Sequence, residues 1–552
     1  MIAVDLSITG LAARQRSAGK TEAGPLLPAN WDVIAYGDSR TEDGVGAQLN
    51  ATVGYRASDA NIGYAGWLGP VSGQRLRLGR FPNFGIGASN TTQGAASPRQ
   101  SAFGDAPPAS PLARNATHPA EWWRGSTSRG SATQQEASCG PGNKTLAAAA
   151  AHPAGIVCLF YGVNDGTGYD GASRINMLTI LDGLRADQLK IVLNENPTGV
   201  VAGAGSIAKK PAASAAFKGF SDWIGTLDHA SGHANARRDV IVVDCWAEFL
   251  DSAASGAGAY LNKVGFLRDA LHDTPFGAKR RAELIHARLA AVHGAAYTNL
   301  PGRVELPTGN PAGGVGPVAG TGNGARFVHT NPMLHAGGNG VVAGNIGAPP
   351  AASTVPEGWR LGGASASGSA GIAVGSVKGG TDSDGFPSWT VTVSGTLADQ
   401  GSYTLQLFQL ARVAGQLTEA AKLRGVGRVR VASGSVGLGA VSLRTFIQSG
   451  DGAARTQQAA ALVGSAGGTN DRAGYTIAVA GRDAAGDHVL QTQLLDLADP
   501  YMAVANGGPG VMGTIQNAII YVEAKFDNYT GGPIDIAGEI TVSRVGLALV
   551  DN

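Results

Sequence analysis

Three short segments of the sequence carry the side chains that nucleophilic acyl transfer requires. Gly37–Arg40 places Ser39 in a glycine turn directly after an apolar run, and Gly162–Asp165 follows a second apolar run. Further along, Asp269 precedes His272 by three residues, so one short turn can carry both. A serine hydroxyl becomes a useful nucleophile only when a base takes its proton, and a histidine can do so near neutral pH. Each segment alone has an ordinary structural explanation, such as a helix cap or a surface pair, so the inference depends on their order.

In order and placement, these segments resemble the sequence blocks of the SGNH (GDSL-type) hydrolase superfamily over residues 31–293. The first block matches Gly37–Ser39, and the second matches the glycine turn Gly85–Ser89. The Gly-x-Asn-Asp block matches Gly162–Asp165, and the Asp-x-x-His block matches Asp269–His272. The rival α/β-hydrolase interpretation needs a G-x-S-x-G motif, which the sequence lacks.

The resemblance implies that Ser39 is the nucleophile, His272 the general base and Asp269 the carboxylate that orients it. A carboxylate bonded to the second ring nitrogen fixes the tautomer and stabilises the imidazolium that forms. The expected reaction is ester hydrolysis without a cofactor. His229 and His233 could share a helix face, but the sequence offers no further ligand beside them, so no metal site is expected.

The same resemblance implies an oxyanion hole formed by the backbone N–H groups of Ser39 and Gly87 and by the side-chain amide of Asn164. Such donors stabilise the charge of the tetrahedral intermediate, and losing one typically costs about 10²–10³ in turnover. Glycine at position 87 lets the backbone approach the substrate closely. Gly85 lies in the same turn and is the competing donor.

Two residues and one segment depart from the family pattern. Arg40 follows the serine where the family often has an apolar residue, and Asp273 follows the histidine where proline is common. The insert 88–150 is rich in small and polar residues and is not a constant of the family. Its cluster Trp122–Arg124 could stack on sugar rings or pack beneath the loop, and both interpretations stay open.

The elements that must position these residues form an alternating pattern. Apolar runs at 31–39, 154–165, 189–197 and 238–246 alternate with helical patterns at 175–189, 215–227 and 277–293. This alternation predicts a parallel α/β sheet with the chemistry at the carboxyl ends of its strands. The family fold is a flavodoxin-like sheet of five parallel strands between helices. The glycine-rich stretch Gly199–Lys210 lacks the Gly-Lys-Ser/Thr ending of a phosphate loop, so we expect a mobile loop there.

In the second half of the chain, the spacing of apolar residues changes. Alternating apolar and polar residues separated by glycine turns predict an antiparallel β-sandwich organised as a jelly roll. Its strands are expected near 388–395, 402–410, 428–433, 441–447, 475–481, 488–496, 517–526 and 538–550. The expected organisation is a leader at 1–30, a hydrolase domain at 31–300, a Gly/Pro-rich linker at 301–326 and the sandwich at 327–552. A stretch from Asn331 to Trp359 resembles the opening of carbohydrate-binding jelly rolls.

Composition excludes several other functions. The 552 residues carry 42 basic and 41 acidic side chains, so no basic surface for nucleic acid is expected. Neither a signal peptide nor a run of about 20 apolar residues is present, so we expect no membrane insertion. Three cysteines are too few for a disulfide framework. The 83 glycines are compatible with either turn-rich β structure or a GC-rich genome.

The combination of an SGNH domain with a sandwich resembles phage tail-fibre and tailspike esterases. This likeness implies a protein that folds in the cytoplasm and acts outside it, on a virion tail, to remove O-acetyl or similar groups from capsule or lipopolysaccharide. The expected partner is an acylated polysaccharide, and a homotrimer is expected if the tail interpretation holds. The alternatives are an inert glycan-binding tail module and a bacterial lipase-like esterase with an accessory domain.

Overall fold

The structure is a computed structural model. It describes residues 24–42, 64–73, 75–85, 90–95, 146–165, 171–197, 199–202, 205–208, 214–253, 255, 260–263, 266–267, 273, 275–300, 305–314, 319–335, 340–342, 349–410, 417, 421–449, 454–458, 462–463, 485–492, 495–496, 515–528 and 532–550. Most of the predicted leader, most of the insert 88–150 and the predicted strand at 475–481 lie outside these ranges.

The first half of the chain contains the predicted parallel sheet. Its five strands are β1 (Asp32–Gly37), β2 (Arg77–Gly85), β3 (Ile156–Phe160), β4 (Leu189–Leu193) and β7 (Val240–Val243). Between β4 and β7 in the chain, a separate short hairpin is formed by β5 (Gly199–Ala202) and β6 (Gly205–Ala208). The sheet order is β2-β1-β3-β4-β7, and all four pairings are parallel. This is the flavodoxin-like order, so the predicted fold class is confirmed. The expectation of a loop at Gly199–Lys210 is wrong, because two four-residue strands pair there as an antiparallel hairpin.

Helices cover both faces of this sheet. They are α1 (Ser39–Glu42), α2 (Tyr64–Val71), α3 (Thr91–Ala95), α4 (Leu146–Ala151), α5 (Gly171–Gly183), α6 (Ser214–Gly225), α7 (Cys245–Phe249), α8 (Pro275–His293) and α9 (Ala295–Thr298). Among the described helices, none is long and apolar enough to cross a membrane.

Alternate residues of β1 are buried on opposite faces. Val33 and Ala35 belong to the apolar cluster that contains α2 and α8, whereas Ile34 and Tyr36 belong to the cluster with α5 and α6. Because a strand buried on both faces appears in the sequence as a continuous apolar run, the sequence pattern predicts its position. The α2/α8 cluster continues into the core of the second half.

The described residues of the second half form eleven strands. They are β8 (Val341–Val342), β9 (Trp359–Thr381), β10 (Pro387–Leu410), β11 (Lys422–Val431), β12 (Leu438–Ser449), β13 (Ala454–Gln458), β14 (Leu462–Val463), β15 (Gly486–Gln491), β16 (Leu495–Asp496), β17 (Ile515–Asp527) and β18 (Ile534–Leu549). Two short 3-10 turns, Gly324–Arg326 and Ala352–Thr354, precede the long strands.

The long hairpin of β9 and β10 runs through both layers of a sandwich. The first part of β10 pairs with β18 and the second part pairs with β17, while β9 follows β10 along its length. One layer then continues through β12 and the other through β11 and β15. The layers face each other, since a Cβ added at Gly425 of β11 would meet Ile520 of β17. The β-sandwich prediction is therefore confirmed.

Candidate active site

Three of the predicted sequence blocks lie at or just beyond the ends of neighbouring strands of the parallel sheet. Gly37 at the end of β1 pairs with Gly85 at the end of β2 on one side and with Phe160 at the end of β3 on the other. The boundary between β1 and β3 is the switch point of this sheet order, where open α/β sheets bind their ligands. Ser39 begins α1 immediately beyond this edge, so its backbone lies at the expected place.

Glycine is required at two positions of this edge. A Cβ at Gly37 would lie 2.2 Å from Thr41 Oγ1 and 2.5 Å from the Phe160 carbonyl oxygen. Gly162 has a φ of +136°, and its Cβ would lie 2.3 Å from Glu195 Oε1. Both glycines therefore let polar groups approach the backbone more closely than a side chain permits.

The turn at Gly162–Asp165 is held by its last carboxylate. The Asp165 N–H donates to the Gly162 carbonyl at 2.9 Å, which closes the turn around half-buried Asn164. The Asp165 carboxylate accepts the Thr91 N–H at 3.1 Å and the Ser173 hydroxyl at 3.1 Å. Burial raises the pKa of the Asp165 carboxyl, and the bonds from Thr91 and Ser173 offset part of that shift. Asp165 thereby ties the start of α3 to the turn that carries Asn164.

Several predicted site residues lie outside the described residues. These are Gly87, Asp269, His272, the side chain of Ser39 and the cluster Trp122–Arg124. The catalytic triad and the oxyanion hole therefore stay predictions. The structure brings together the backbone of Ser39, the competing donor Gly85 and the turn of Asn164, at the ends of three adjacent strands.

A buried arginine lies beside the predicted nucleophile. Arg40 is 2% exposed, and its guanidinium donates to Asp38 Oδ2 at 2.7 Å and to Glu195 Oε2 at 2.8 Å. Burial acts to lower the pKa of Arg40, but the two carboxylates raise it overall. Burial raises the pKa of the Glu195 carboxyl, and Arg40 opposes this shift. Sequence reasoning noted Arg40 only as a departure and missed Glu195.

A second buried arginine occupies the same region. Arg281 of α8 donates to both carboxylate oxygens of Asp273, at 3.0 and 2.9 Å, and to Asn196 Oδ1 at 3.2 Å. The guanidinium carbons of Arg40 and Arg281 lie 3.6 and 4.4 Å from the centroid of the Phe160 ring. Burial acts to lower the pKa of Arg281, but the Asp273 carboxylate helps to raise it overall.

The carboxyl end of β4 connects these groups. Asn194 accepts the Cys245 N–H at 2.6 Å, and the next two residues receive the two guanidinium groups. The sequence signal was three consecutive polar residues, Asn194–Asn196, immediately after a buried strand. The sequence pattern predicts a strand over 189–197 but indicates no role for these three side chains.

The sandwich carries a separate polar pocket of about 350 Å³. Ser388, Thr390 and Thr541 are among the residues that line it, and so are the charged residues Arg428 and Asp487. Arg428 donates to Asp487 at 2.8 Å and to Asp384 at 2.6 Å, so the charged groups are fixed by mutual contacts.

Comparisons with known proteins identify no family for the chain. No family model matches, and no curated protein matches. One similar solved structure is BT4096, described as a gut microbial diltiazem-metabolizing enzyme. It is 10% identical, with a TM-score of 0.26 over 75% of this chain and 70% of that one.

Two carbohydrate-binding modules are also among the similar structures. One is a module of the β-sandwich superfamily, at 10% identity and a TM-score of 0.20, covering 34% of this chain and 56% of that chain. The other is the family 11 module of the Clostridium thermocellum cellulase Lic26A-Cel5E, at 10% identity and a TM-score of 0.18, covering 35% and 88%. TM-scores this low support no inference about the fold or the function of this chain.

Proposed function

We propose that the protein is a serine esterase that removes O-acyl groups, acetyl above all, from a bacterial-surface or extracellular polysaccharide. The observation that supports this proposal is the meeting of three sequence blocks at one sheet edge. Gly37, Gly85 and the turn at Gly162–Asp165 follow or end adjacent strands at the switch point, where this sheet order binds ligands.

In the proposed reaction, Ser39 Oγ attacks the ester carbonyl while His272 takes the hydroxyl proton. Asp269 holds the imidazole in the required tautomer. The N–H groups of Ser39 and Gly87 and the Asn164 amide stabilise the oxyanion. The intermediate collapses to an acyl-serine, and the sugar hydroxyl leaves with the proton from His272. Water, deprotonated by the same histidine, then releases the carboxylate and restores Ser39.

The decisive test is acetate release from an acetylated bacterial polysaccharide by wild type and Ser39→Ala. We expect the substitution to reduce turnover by about 10⁴–10⁶, as losses within a triad typically do. Circular dichroism of the variant controls for folding. A folded Ser39→Ala protein that still releases acetate would contradict the proposed nucleophile.

We also propose that this esterase is a component of a phage tail. This proposal is supported by the order of domains, a parallel α/β sheet followed by a large β-sandwich, together with the sequence resemblance to tail esterases. A protein of that kind acts outside the host as part of a virion, often as a trimer. Sedimentation of the purified chain tests the trimer, and a monomer at micromolar concentration would contradict it.

A second candidate function is glycan binding without catalysis. The sandwich pocket favours it, because fixed hydroxyl, guanidinium and carboxylate groups can bond to the hydroxyls of a sugar. Isothermal titration with intact and de-acetylated polysaccharide distinguishes the functions. Binding by wild type without any release of acetate would favour the binding module. Arg430 also lines the sandwich pocket, so Arg430→Ala should then weaken the binding.

A further inference from the structure

The two positions at which the sequence departs from the SGNH pattern lie in one buried cluster. Arg40 directly follows the predicted nucleophile and Asp273 directly follows the predicted base, and these residues are 2% and 4% exposed. Each forms a paired contact with an oppositely charged group, Arg40 with Glu195 and Asp273 with Arg281. We call Asp38, Arg40, Glu195, Asn196, Asp273 and Arg281 the arginine cluster.

The arginine cluster joins three elements at the carboxyl edge of the sheet. Glu195 and Asn196 extend from β4, Arg40 lies in α1, and Arg281 lies in α8. Glu195 Oε1 accepts Arg40 Nη2 at 2.9 Å, in addition to the bond to Oε2, so this contact is bidentate. The Arg281–Asp273 contact is also bidentate. A guanidinium fork fixes orientation as well as distance, which a single charged contact does not.

Stability alone is a weak explanation for such a cluster. The desolvation of buried ion pairs offsets much of their attraction, and apolar replacements of similar volume are often neutral or stabilising. The cluster fixes the orientation of side chains beside both predicted catalytic segments. A role that depends on the relative placement of these segments therefore explains it better than stability does.

We propose that Arg40 and Arg281 are positioning residues of the esterase. Arg40 fixes the turn that carries Ser39 against the end of β4. Arg281 fixes the residue after His272 against the same strand end, through Asp273 and Asn196. The segments that carry the nucleophile and the base are thereby both fixed to the carboxyl end of β4. This inference rests on the proposed esterase activity, because the placement of two catalytic segments matters only if they react.

The experiment compares Glu195→Gln and Asp273→Asn with wild type and Ser39→Ala. Both substitutions keep the side-chain shape and remove one charge. Hydrolysis of p-nitrophenyl acetate gives kcat and KM, and a fluorophosphonate titrates the reactive serine so that misfolded molecules are not counted. We expect kcat per titrated site to fall by roughly 10–100-fold, the cost of a small misplacement of reacting groups, with KM nearly unchanged.

Asp239→Asn is the matched control. Asp239 pairs with the buried Lys190 at 2.8 Å, but this pair lies at the amino-terminal end of β4, opposite the predicted site. Its loss should lower stability and leave kcat per titrated site at the wild-type value. If the cluster variants behave like this control, losing stability or titratable sites without losing kcat, the positioning role is wrong.

Two further results separate the proposals. A wild-type protein without Ser39-dependent hydrolysis overturns the proposed function, and the positioning role falls with it. Active wild type with unaffected cluster variants overturns only the positioning role. Should Asp273→Asn not fold, Arg281→Lys keeps the charge but lacks the fork that reaches Asp273 and Asn196 together, and it is expected to show the same loss of kcat.

Discussion

The same substitution, glycine to alanine, should have opposite effects at two positions of the α/β half. At Gly162 the backbone has a φ of +136°, where an L-residue is strained by roughly 1–3 kcal/mol. The new Cβ would also lie 2.3 Å from Glu195 Oε1. Glu195 cannot retreat freely, because both of its oxygens accept bonds from Arg40 at 2.8 and 2.9 Å.

The expected cost follows from these contacts. Weakening one bond to a charged group costs about 1.5–3 kcal/mol. Strain and the weakened bond together give a loss of about 2.5–6 kcal/mol in the free energy of unfolding for Gly162→Ala. The control is Gly219→Ala, in the exposed middle of α6, where a Cβ meets nothing within 4 Å. There alanine should stabilise the protein by about 0.5–1 kcal/mol.

Native-state hydrogen exchange suits this comparison, because it reports the opening of each half separately. Peptides that cover β3 and β4 should exchange faster in Gly162→Ala and slightly more slowly in Gly219→Ala. Peptides from the sandwich should change little. A Gly162→Ala protein whose free energy of unfolding stays within about 0.5 kcal/mol of wild type, the range of ordinary surface changes, would refute the expected strain and contact loss.

Two further predictions concern buried titratable groups. Burial lowers the pKa of His329 to about 3, so the folded protein keeps this histidine neutral while the unfolded chain protonates it below about 6.5. Stability should therefore decline as the pH falls from 6.5 toward 3, and His329→Asn should show a smaller decline between pH 7 and pH 5 in urea titrations. An identical pH dependence in the two proteins would contradict this. Burial also raises the pKa of Cys158 and raises that of Cys245 to about 11, so neither thiol should react with iodoacetamide before unfolding. Peptide mapping after native labelling checks this, and alkylation of either residue in folded protein would show the burial to be wrong.

The parallel sheet was predictable because its central strands are buried on both faces. Residues 156–160 and 189–193 are entirely buried, so they appear in the sequence as unbroken apolar runs. The edge strand β2 was not recognised as a strand, because Pro82 and its glycines interrupt the run. β9 was missed for a similar reason, since it is rich in glycine and serine, which have low strand propensity.

The site was predictable only in part. The blocks at Gly37–Ser39 and Gly162–Asp165 are local patterns, so the sequence locates them directly. The arginine cluster is different, because Arg40 and Glu195 are 155 residues apart in the chain and 2.8 Å apart in space. No local sequence pattern predicts such a pair. Only the order of strands in the sheet brings β1 and β4 close enough to form it.

The central claim is that Ser39 forms an acyl-enzyme. Incubation with a fluorophosphonate, followed by proteolysis and peptide mass spectrometry, tests this most directly. We predict one phosphonylated serine per chain, at Ser39, and no modification in Ser39→Ala. Labelling at another serine, or none in a folded protein that binds polysaccharide, would contradict the claim.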